Sequence, residues 1–368
     1  MTNIFKFFNQ FQDRIGEPPW KYDFLCSLPE SEYPKYLAKI FNYRTGEKLP
    51  LSHGVIDKNR CKTFNQKLQW LKLYGVTDLM RKCTDKVAVR DYVKEKIGEE
   101  YLKPVLQIIP NETSVIASRN GILDGEAIQP IEKNIQKQLD CRADNKMPPS
   151  ARNDGKLEDV STYFDQINWD KLPNAFVIKC NHGCKWHYII KDKEEFLQNK
   201  RLFNTVKQNI TGWLEQEYWC WGGFEMQYAT FQEKGIEPKI LIEPLLRNDI
   251  NLPGSRIQIY FFNSSPEFII KIHNPKEITI YDKNFKIVDD VFGFSENKIY
   301  AEVDDLINQT FVLSKQIIKD KNINFVRVDW MIYKNKPYFE ELTFSPYSGF
   351  HRFRNKKNNI KLGNFINL

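Results

Sequence analysis

The sequence predicts an α+β protein with more than one compact region, and three observations support this prediction. Its 368 residues exceed the length of one ordinary domain. Up to about residue 105, apolar residues recur at the spacing of amphipathic helices. After Pro173, short apolar and β-branched runs alternate with turn residues, a pattern typical of antiparallel strands. Helices and strands grouped in separate parts of a chain indicate α+β architecture.

Two N-terminal segments have clear helix signals. In the first, Phe64 and Leu68 begin an apolar face, and Thr63 can cap the first turn through its side chain. The second is predicted to begin at a Thr84–Asp85 cap and to stop at Gly98. The N-terminal region is therefore expected to be mainly helical.

Three regions follow from these patterns. Residues 1–105 form the mainly helical N-terminal region, residues 106–240 a first α+β subdomain, and residues 241–368 a second. Residues from about 111 to 158 are polar and rich in turn signals, which favours an insertion. The predicted strands and one further helix are, in order, AFVIKC, WHYIIK, KILIEPLL, RIQIYFFN, EFIIKIHN, EITIYD, DDLINQTFVLSKQIIKD (the helix), FVRVDWMIY and KPYFEELTF.

Composition limits the class of protein. Apolar residues at 41% and charged residues at 27% are typical of a folded soluble protein. No apolar run reaches the roughly 18 residues of a membrane-spanning helix, and the N-terminus lacks the apolar core of a signal peptide, so a cytoplasmic location is expected. The N-terminal stretch favours a helix docked on the protein, with weak contact to a membrane surface as the alternative. Its apolar residues at helical spacing are Ile4, Phe7, Phe8, Phe11 and Ile15.

Charge and cysteine content narrow the partners. The formal charge of +7 suits an anionic small substrate or glycan as well as nucleic acid. Because the chain has no block of like charges and no RNA-binding signature, nucleic acid is not expected as a partner. The seven cysteines are scattered, which favours reduced thiols. Ordinary thiols are expected at Cys26, Cys61, Cys83, Cys141 and Cys220.

The stretch FVIKCNHGCKWHYII permits two interpretations. Its two cysteines and two histidines suggest zinc, but a structural zinc site usually takes two ligand pairs separated by a longer loop, so zinc is disfavoured. The alternative is a hairpin that binds phosphate. Lys179 can reach a phosphate from the end of a strand, and Gly183 lets the backbone approach the ligand. Taken alone, this second pattern is weak.

A second motif strengthens the phosphate interpretation. The last two predicted strands are joined by Lys334–Lys336, which places Asp329 and Glu341 on neighbouring strands. Two facing carboxylates repel unless a cation lies between them, and oxygen ligands suit Mg²⁺. Mg²⁺ commonly completes its shell with phosphate oxygens. The motif therefore predicts a metal site that works with a nucleotide.

From about residue 40 to its end, the chain resembles the TupA-like branch of the ATP-grasp enzymes, related to teichuronopeptide biosynthesis proteins. The resemblance implies an ATP-grasp fold, with the mainly helical N-terminal region and two α+β subdomains that sandwich ATP; residues 106–240 correspond to the lid subdomain. It also implies ATP and Mg²⁺ as cofactors. The motifs that carry it are KTFNQKLQWLKLY, TDKVAVRDYVKEKIGEEYL, LPNAFVIKCNHG, KILIEPLL and FVRVDWMIYKNKPYFEELTFSPYSGF.

The resemblance also implies roles for individual residues. Arg327 and Lys179 would act in phosphoryl transfer, and His182–Gly183 would form a mobile loop over the phosphates. The ATP-binding residues would be Lys86, Lys179, His182, Gly183, Glu243, Pro244, Leu246 and, for the ribose, Asp249. The metal ligands would be Asp329, Glu341 and Thr343, and the substrate-contacting residues Ser345, Ser348 and Gly349.

The sequence departs from the family pattern at several positions. Cys184–Lys185 follow the loop glycine where small residues are usual, and Gln258 stands where relatives commonly carry lysine. Thr343 is a weaker metal ligand than the asparagine found in many ATP-grasp enzymes. The tryptophans of WLEQEYWCWGGFEMQY (Trp213, Trp219 and Trp221) favour a packed core, with a sugar-stacking platform as the alternative.

The function implied is that of an ATP-dependent carboxylate–amine ligase that forms an amide through an acyl phosphate. Its partners would be a small-molecule or nucleotide-linked sugar carboxylate, such as a uronic acid of a capsular or other cell-surface polysaccharide, and an amino acid or small amine. The reverse assignment, with the carboxylate on the amino acid, stays open. Two alternatives remain: an ATP-grasp kinase that phosphorylates an amide or hydroxyl, and a binding module without turnover.

Overall fold

The computed structural model describes residues 22–110, 160–230, 235–246, 255–294, 296–319 and 321–368. The predicted N-terminal helix, the predicted insertion at about 111–158 and Asp249 lie outside these residues. The chain divides into two compact units. The first contains Met1–Pro104, Glu217–Ala229 and Leu246–Leu368, and the second contains Val105–Gln216 and Thr230–Leu245. The division into residues 1–105, 106–240 and 241–368 stays a prediction.

The described elements agree in type with the sequence prediction. The helices are α1 (Tyr22–Cys26), α2 (Tyr33–Thr45), α3 (Phe64–Tyr74), α4 (Asp78–Thr84), α5 (Ala88–Ile97), α6 (Lys193–Gln198), α7 (Lys200–Leu214), α8 (Tyr218–Trp221), α9 (Asp305–Ile318) and α10 (Lys356–Gly363). The strands are β1 (Leu51–Ser52), β2 (Val55–Ile56), β3 (Gln107–Ile109), β4 (Phe176–Cys180), β5 (His187–Ile190), β6 (Ile240–Pro244), β7 (Arg256–Phe262), β8 (Ser265–Asn274), β9 (Glu277–Asp282), β10 (Asn297–Lys298), β11 (Phe325–Tyr333) and β12 (Lys336–Thr343). Among the described residues, no helix is long and apolar enough to cross a membrane.

The predicted cap of α3 is confirmed, but the predicted start of the next helix is wrong. Thr63 and Gln66 form a reciprocal capping box at the start of α3. Thr84 instead ends α4, a separate helix that the sequence pattern did not resolve. Asp85 accepts a hydrogen bond from the Val87 amide, and this local turn delays the start of α5. The end of α5 at Gly98 is as predicted.

The first unit is built on a sheet in the order β10-β9-β8-β7-β11-β12. Alternation along β11 separates its two faces. Val326, Val328 and Trp330 pack in the cluster that includes α5 and α9. Phe325 packs in the opposite cluster, with Phe64 of α3. Arg327 and Asp329 alternate with the residues of the first cluster and therefore lie on the α3 side of the sheet.

The hairpin of β11 and β12 has a two-residue turn and a bulge. Lys334 and Asn335 both have positive φ angles, the conformation of a type I′ turn. The register places Trp330 opposite Phe339 but Asp329 opposite Glu341. The bulge thus inserts Glu340 as an extra residue on β12. Without it, Glu340 rather than Glu341 would oppose Asp329.

The second unit contains a sheet in the order β3-β6-β4-β5. The predicted hairpin is confirmed, since β4 and β5 are antiparallel with Lys179 opposite His187. Strand β6 pairs with the other edge of β4 and places Glu243 opposite Val177. Helix α7 buries Val206, Ile210 and Leu214. These contacts fix Lys179 and Glu243 on neighbouring strands.

The expectation of ordinary thiols at Cys26 and Cys220 is wrong for this pair. The two residues form a disulfide that joins α1 to α8 across 194 residues of sequence. Cys61, Cys83 and Cys180 are buried, and Cys184 is exposed. Cys141 lies outside the described residues. No local pattern in the sequence indicates this pairing, because only the packing of the N-terminal helices on residues 219–224 brings the two sulfurs together.

Candidate active site

In the first unit, Arg327 and Asp329 form a bidentate ion pair on one strand. Arg327 donates from Nε to Asp329 Oδ1 at 2.6 Å and from Nη2 to Asp329 Oδ2 at 2.5 Å. Residues two apart on a strand share a face, so β11 itself sets this contact. The guanidinium also lies 5.9 Å from the ring centroid of Tyr260 on β7. Arg327 is thereby held rigidly on the α3 side of the sheet.

Strand β12 adds a carboxylate and a hydroxyl to this pair. Thr343 Oγ1 accepts from Arg327 Nη2 at 3.2 Å and can donate to Glu341 Oε1 at 3.0 Å. Glu341 Oε1 lies 3.8 Å from Arg327 Nη2. The side chain of Asp329 is 6% exposed, whereas that of Glu341 is 43% exposed. The cluster therefore has a buried end at Asp329 and an accessible end at Glu341.

Burial makes the Asp329 carboxylate costly. It raises the pKa of Asp329 to about 7, although Arg327 acts in the opposite direction. Glu341 raises it further because two negative charges face one another. Burial also disfavours the charged form of Arg327, but the neighbouring Asp329 more than offsets this effect, so the pKa of Arg327 rises. One cation is thus shared by two carboxylates.

This donor set fits Mg²⁺. Asp329 and Glu341 supply carboxylate oxygens from paired strands, and burial, with a smaller contribution from Glu341, raises the pKa of Asp329 despite the neighbouring Arg327. Mg²⁺ is bound in many enzymes by one or two carboxylates together with substrate phosphates. Within the described ranges, no group of three or more histidine, cysteine, aspartate or glutamate side chains is arranged to hold a metal. The pair therefore suits a metal shared with a phosphate ligand.

In the second unit, Lys179 and Glu243 form a buried ion pair. Lys179 Nζ donates to Glu243 Oε2 at 2.7 Å, and the two side chains are 16% and 7% exposed. Neighbouring strands β4 and β6 position them. A phosphate and an adenine amino group are the partners that the resemblance implies for these side chains. In this structure the two side chains contact each other.

The loop after β4 packs against the rest of the second unit. The ring of His182 is fully buried, with Nε2 3.0 Å from the Trp213 carbonyl and Nδ1 3.1 Å from Asn181 Oδ1. Trp186 stacks in parallel on Trp213 at 6.0 Å between ring centroids. A Cβ on Gly183 would lie 2.3 Å from the Trp186 ring, so glycine is required for this packing. The His182 side chain thus points into the protein, so a role in binding phosphate would fall to the backbone of this loop.

The four side chains of the disfavoured zinc interpretation do not share one environment. Cys180 and His182 are buried, whereas Cys184 and His187 are exposed. Cys180 Sγ lies 3.8 Å from the Ile210 carbonyl of α7. The strand alternation and the turn therefore separate these residues.

The remaining predicted ATP-binding residues occupy three places. Lys86 is half-buried in the turn between α4 and α5 of the first unit. Pro244 ends β6, and the boundary of the second unit falls directly before Leu246. Asp249 lies outside the described residues. Gln258 pairs with Asp329 across β7 and β11 and accepts from the Tyr260 hydroxyl at 3.4 Å.

The predicted substrate serines bond within the protein. Ser345 donates to Glu225 Oε1, and Ser348 donates to Glu225 Oε2 at 3.0 Å. Gly349 accepts from Gln69 Nε2 at 2.7 Å through its carbonyl. Glu225 was not singled out from the sequence. The sequence signal for it is an acidic residue two positions after Gly223 in a segment rich in aromatic residues.

The tryptophans of that segment are placed differently. Trp219 is 4% exposed and packs against Tyr33 and Phe224. Trp213 stacks on Trp186 in the second unit. Trp221 is exposed. Packing therefore accounts for Trp219 and Trp213.

The first unit has an Arg-Asp-Glu cluster on a β-hairpin, and the second has a lysine–glutamate pair on neighbouring strands of its sheet. An α+β fold with these features is of the ATP-grasp class. The family model described as TupA-like ATPgrasp matches residues 156–367, and the chain belongs to this family. This confirms the resemblance and the fold class. ATP-grasp proteins use ATP and form carbon–nitrogen bonds as ligases, and the chain is an enzyme of this class.

Solved structures of ATP-grasp proteins show distant similarity to the chain. D-alanine–D-alanine ligase from Helicobacter pylori is 13% identical with a TM-score of 0.37, over 82% of this chain and 69% of that one. D-alanine–D-alanine ligase from Bacillus anthracis, complexed with ATP, is 14% identical with a TM-score of 0.34, over 84% and 76%. D-cycloserine synthetase DcsG is 12% identical with a TM-score of 0.34, over 92% and 97%. A comparison with curated proteins found no significant match.

Proposed function

We propose that the chain phosphorylates a carboxylate with ATP and joins the resulting acyl phosphate to an amine. The observation that carries this proposal is the cluster of Arg327, Asp329, Thr343 and Glu341 on paired strands, in a chain of the ATP-grasp family. A carboxylate resists attack because its negative charge repels nucleophiles. Phosphorylation cancels that charge and supplies a leaving group.

The bond changes balance in two steps. A carboxylate oxygen attacks the γ-phosphorus of ATP, the bond from that phosphorus to the bridging oxygen breaks, and ADP leaves. The amine nitrogen then attacks the acyl carbon, the carbon–oxygen bond to phosphate breaks, and one proton leaves the nitrogen. Arg327 is the fixed cation of the cluster and would stabilise the negative charge that develops on the transferred group. Its bidentate contact with Asp329 holds it in place for this role.

Asp329 and Glu341 would hold Mg²⁺, with Thr343 as a weaker neutral ligand. When bound, Mg²⁺ would neutralise phosphate charge during transfer. Lys179 would turn from Glu243 toward a phosphate, which frees Glu243 to accept from the adenine amino group. Lys86 would contact the phosphates, and Asp249 the ribose. The Pro244 carbonyl and the Leu246 amide would bind the adenine edge, and the backbone of His182–Gly183 would approach the phosphates.

The proposed substrates are a uronic acid or other sugar carboxylate of a capsular or cell-surface polysaccharide, and an amino acid or small amine. Two observations support this choice. The family description is TupA-like, and the resemblance links it to teichuronopeptide biosynthesis. The formal charge of +7 suits an anionic substrate. Because ATP is the energy source, the cytoplasm is the proposed location.

Hydroxylamine trapping tests the proposal directly. The chain is incubated with Mg-ATP, hydroxylamine and one of a panel of carboxylates that includes D-glucuronate, D-galacturonate and amino acids. ADP and hydroxamate are then measured by mass spectrometry. An acyl phosphate gives a hydroxamate free of phosphorus, and Asp329→Asn should abolish it. Phosphate on a stable acceptor would support a kinase instead, and nucleotide binding without turnover would support a binding module.

A further inference from the structure

Lys72 and Glu225 are charged residues buried in the core of the first unit. Lys72 is 2% exposed and Glu225 is 3% exposed. Lys72 lies on α3, and Glu225 follows Gly222–Gly223 in the segment after α8. Charged side chains are almost never fully buried unless paired. The contacts of these two side chains therefore require an explanation.

Both side chains contact the loop that follows β12. Lys72 Nζ donates to the Ser348 carbonyl at 2.8 Å and to the Gly222 carbonyl at 3.2 Å. Glu225 accepts from the Ser345 hydroxyl with one oxygen and from the Ser348 hydroxyl, at 3.0 Å, with the other. Lys72 thus bonds to the loop at the Ser348 carbonyl, and Glu225 bonds to it at the Ser348 hydroxyl. The opposite charge of Lys72 partly offsets the cost of burying Glu225.

Two neutral side chains also hold this loop. Gln69 Nε2 donates to the Ser348 carbonyl at 3.3 Å and to the Gly349 carbonyl at 2.7 Å. Gln227 Nε2 donates to Ser345 Oγ at 2.8 Å. The loop is therefore held by α3 on one side and by residues 225–227 on the other.

The loop has a backbone conformation that needs such support. Tyr347, Ser348 and Gly349 are three consecutive residues with φ angles of 54°, 54° and 69°. Left-handed conformations cost free energy for residues other than glycine and collect at functional sites. A Cβ on Gly349 would lie 2.4 Å from Gln69 Nε2, so this position also requires glycine.

One consequence is that the serines are turned inward and Tyr347 is turned outward. The side chain of Tyr347 is 60% exposed, whereas Ser345 is 7% exposed and bonded to Glu225. Together with Tyr260 and His351, Tyr347 lines a small cavity on the α3 side of the sheet. Tyr347 also lies within electrostatic range of Arg327 and Asp329. An exposed tyrosine therefore lines the same cavity as Tyr260, whose ring centroid lies 5.9 Å from the Arg327 guanidinium.

We propose that Lys72 and Glu225 are positioning residues that lock residues 345–349, and that Tyr347 is the residue of this loop that contacts the substrate. The second part rests on the proposed function. Tyr347 takes the place of Ser345 and Ser348 as the direct contact with the substrate. Its ring can pack on the face of a sugar, and its hydroxyl can bond to the sugar. Only four residues of the chain separate Tyr347 from Leu342 of β12, which ties the loop to the metal-site strand.

Chymotrypsin cleavage after Tyr347 tests the lock without any turnover. Glu225→Leu and Lys72→Met in the full chain should raise the cleavage rate about tenfold or more, because a freed loop fits a protease better. Ser314→Ala is the matched control, since it removes a buried hydroxyl that accepts from Trp330 Nε1 on the face of the sheet opposite α3. If Glu225→Leu does not fold, Ser348→Ala removes only the hydroxyl bonded to Glu225. Cleavage rates equal to those of wild type and the control would overturn the lock.

Hydroxamate formation from D-glucuronate and D-galacturonate tests the contact. Tyr347→Ala should raise KM for the carboxylate about tenfold and leave KM for ATP within about twofold, as expected for loss of substrate binding alone. Glu225→Leu should likewise raise KM for the carboxylate and leave KM for ATP within about twofold. Tyr300→Ala, which removes another exposed tyrosine, should change neither KM. An unchanged carboxylate KM in Tyr347→Ala overturns the contact. If wild type forms no hydroxamate from any carboxylate of the full panel, the proposed function fails and the contact with it, whereas the lock is still decided by the cleavage rates.

Discussion

Lys179 donates to Glu243 across 2.7 Å, although the two residues are 64 positions apart in sequence. Neighbouring strands of the second unit hold both side chains, which are 16% and 7% exposed. An ion pair so little exposed gains from mutual attraction but loses much hydration. Such a pair can exchange partners when a ligand offers a phosphate to the lysine and a donor to the glutamate. If Lys179 and Glu243 bind ATP as proposed, the pair would link stability to nucleotide binding.

Lys179→Met should weaken ATP binding by a factor of about ten or more and lower stability. The stability loss is expected to be about 3 kcal/mol, because Glu243 would keep a buried charge without its partner. Isothermal titration calorimetry gives the ATP affinity, and urea unfolding gives the stability. Lys191→Met, at an exposed lysine just after β5, is the control. A stability loss with unchanged ATP affinity would reduce Lys179 to a structural role.

Glu341→Gln should impair catalysis much more than Glu340→Gln. Glu341 opposes Asp329, whereas Glu340 lies at the bulge and pairs with Arg256 and Lys103. Loss of a residue that only orients a metal ligand typically costs about 10- to 100-fold in activity or metal affinity, so loss of a ligand itself should cost at least as much. ADP release is measured over a range of Mg²⁺ concentrations for both variants. Equal losses in the two variants would show that Glu341 has no special relation to the metal.

His182→Ala should lower stability more than it lowers ATP affinity. The ring is fully buried and both of its nitrogens lie within hydrogen-bond distance of oxygen atoms, so its removal leaves a cavity and unpaired groups. A loss of about 2 to 4 kcal/mol is expected in urea unfolding. The ATP affinity of the folded variant should stay within about threefold of wild type. A fully stable variant with a tenfold weaker ATP affinity would instead place the side chain in the nucleotide site.

Lys72→Met should remove a pH dependence of stability between about pH 7 and pH 10. Burial lowers the pKa of Lys72 from 10.5 to about 7, so in this window the unfolded chain binds the proton more tightly. The free energy of unfolding of the wild type should therefore rise with pH there, by an amount on the order of 3 kcal/mol. Urea unfolding at several pH values measures the difference between variant and wild type. Parallel curves would mean that Lys72 titrates as it does in the unfolded chain.

Local patterns in the sequence were sufficient for most elements. Thr63 and Gln66 form the capping box because the partners lie within one helical turn. The β4–β5 hairpin has its predicted position because apolar strands flank a tight turn. The start of α5 was misplaced because Thr84 and Asp85 each fit a cap, and only the fold shows that the first belongs to α4.

By itself, the sequence determined the family and the strands that carry the site, since both depend on residues close in sequence. Only the tertiary structure decided which side chains meet. A single bulge made Glu341 rather than Glu340 the partner of Asp329, because an extra residue reverses the alternation of a strand. The Cys26–Cys220 disulfide joins segments more than a hundred residues apart, and so do the hydrogen bonds of Lys72 and Glu225 to Ser348. Such contacts leave no periodic trace in a single sequence, because burial depends on what packs against a residue and not on its neighbours in the chain.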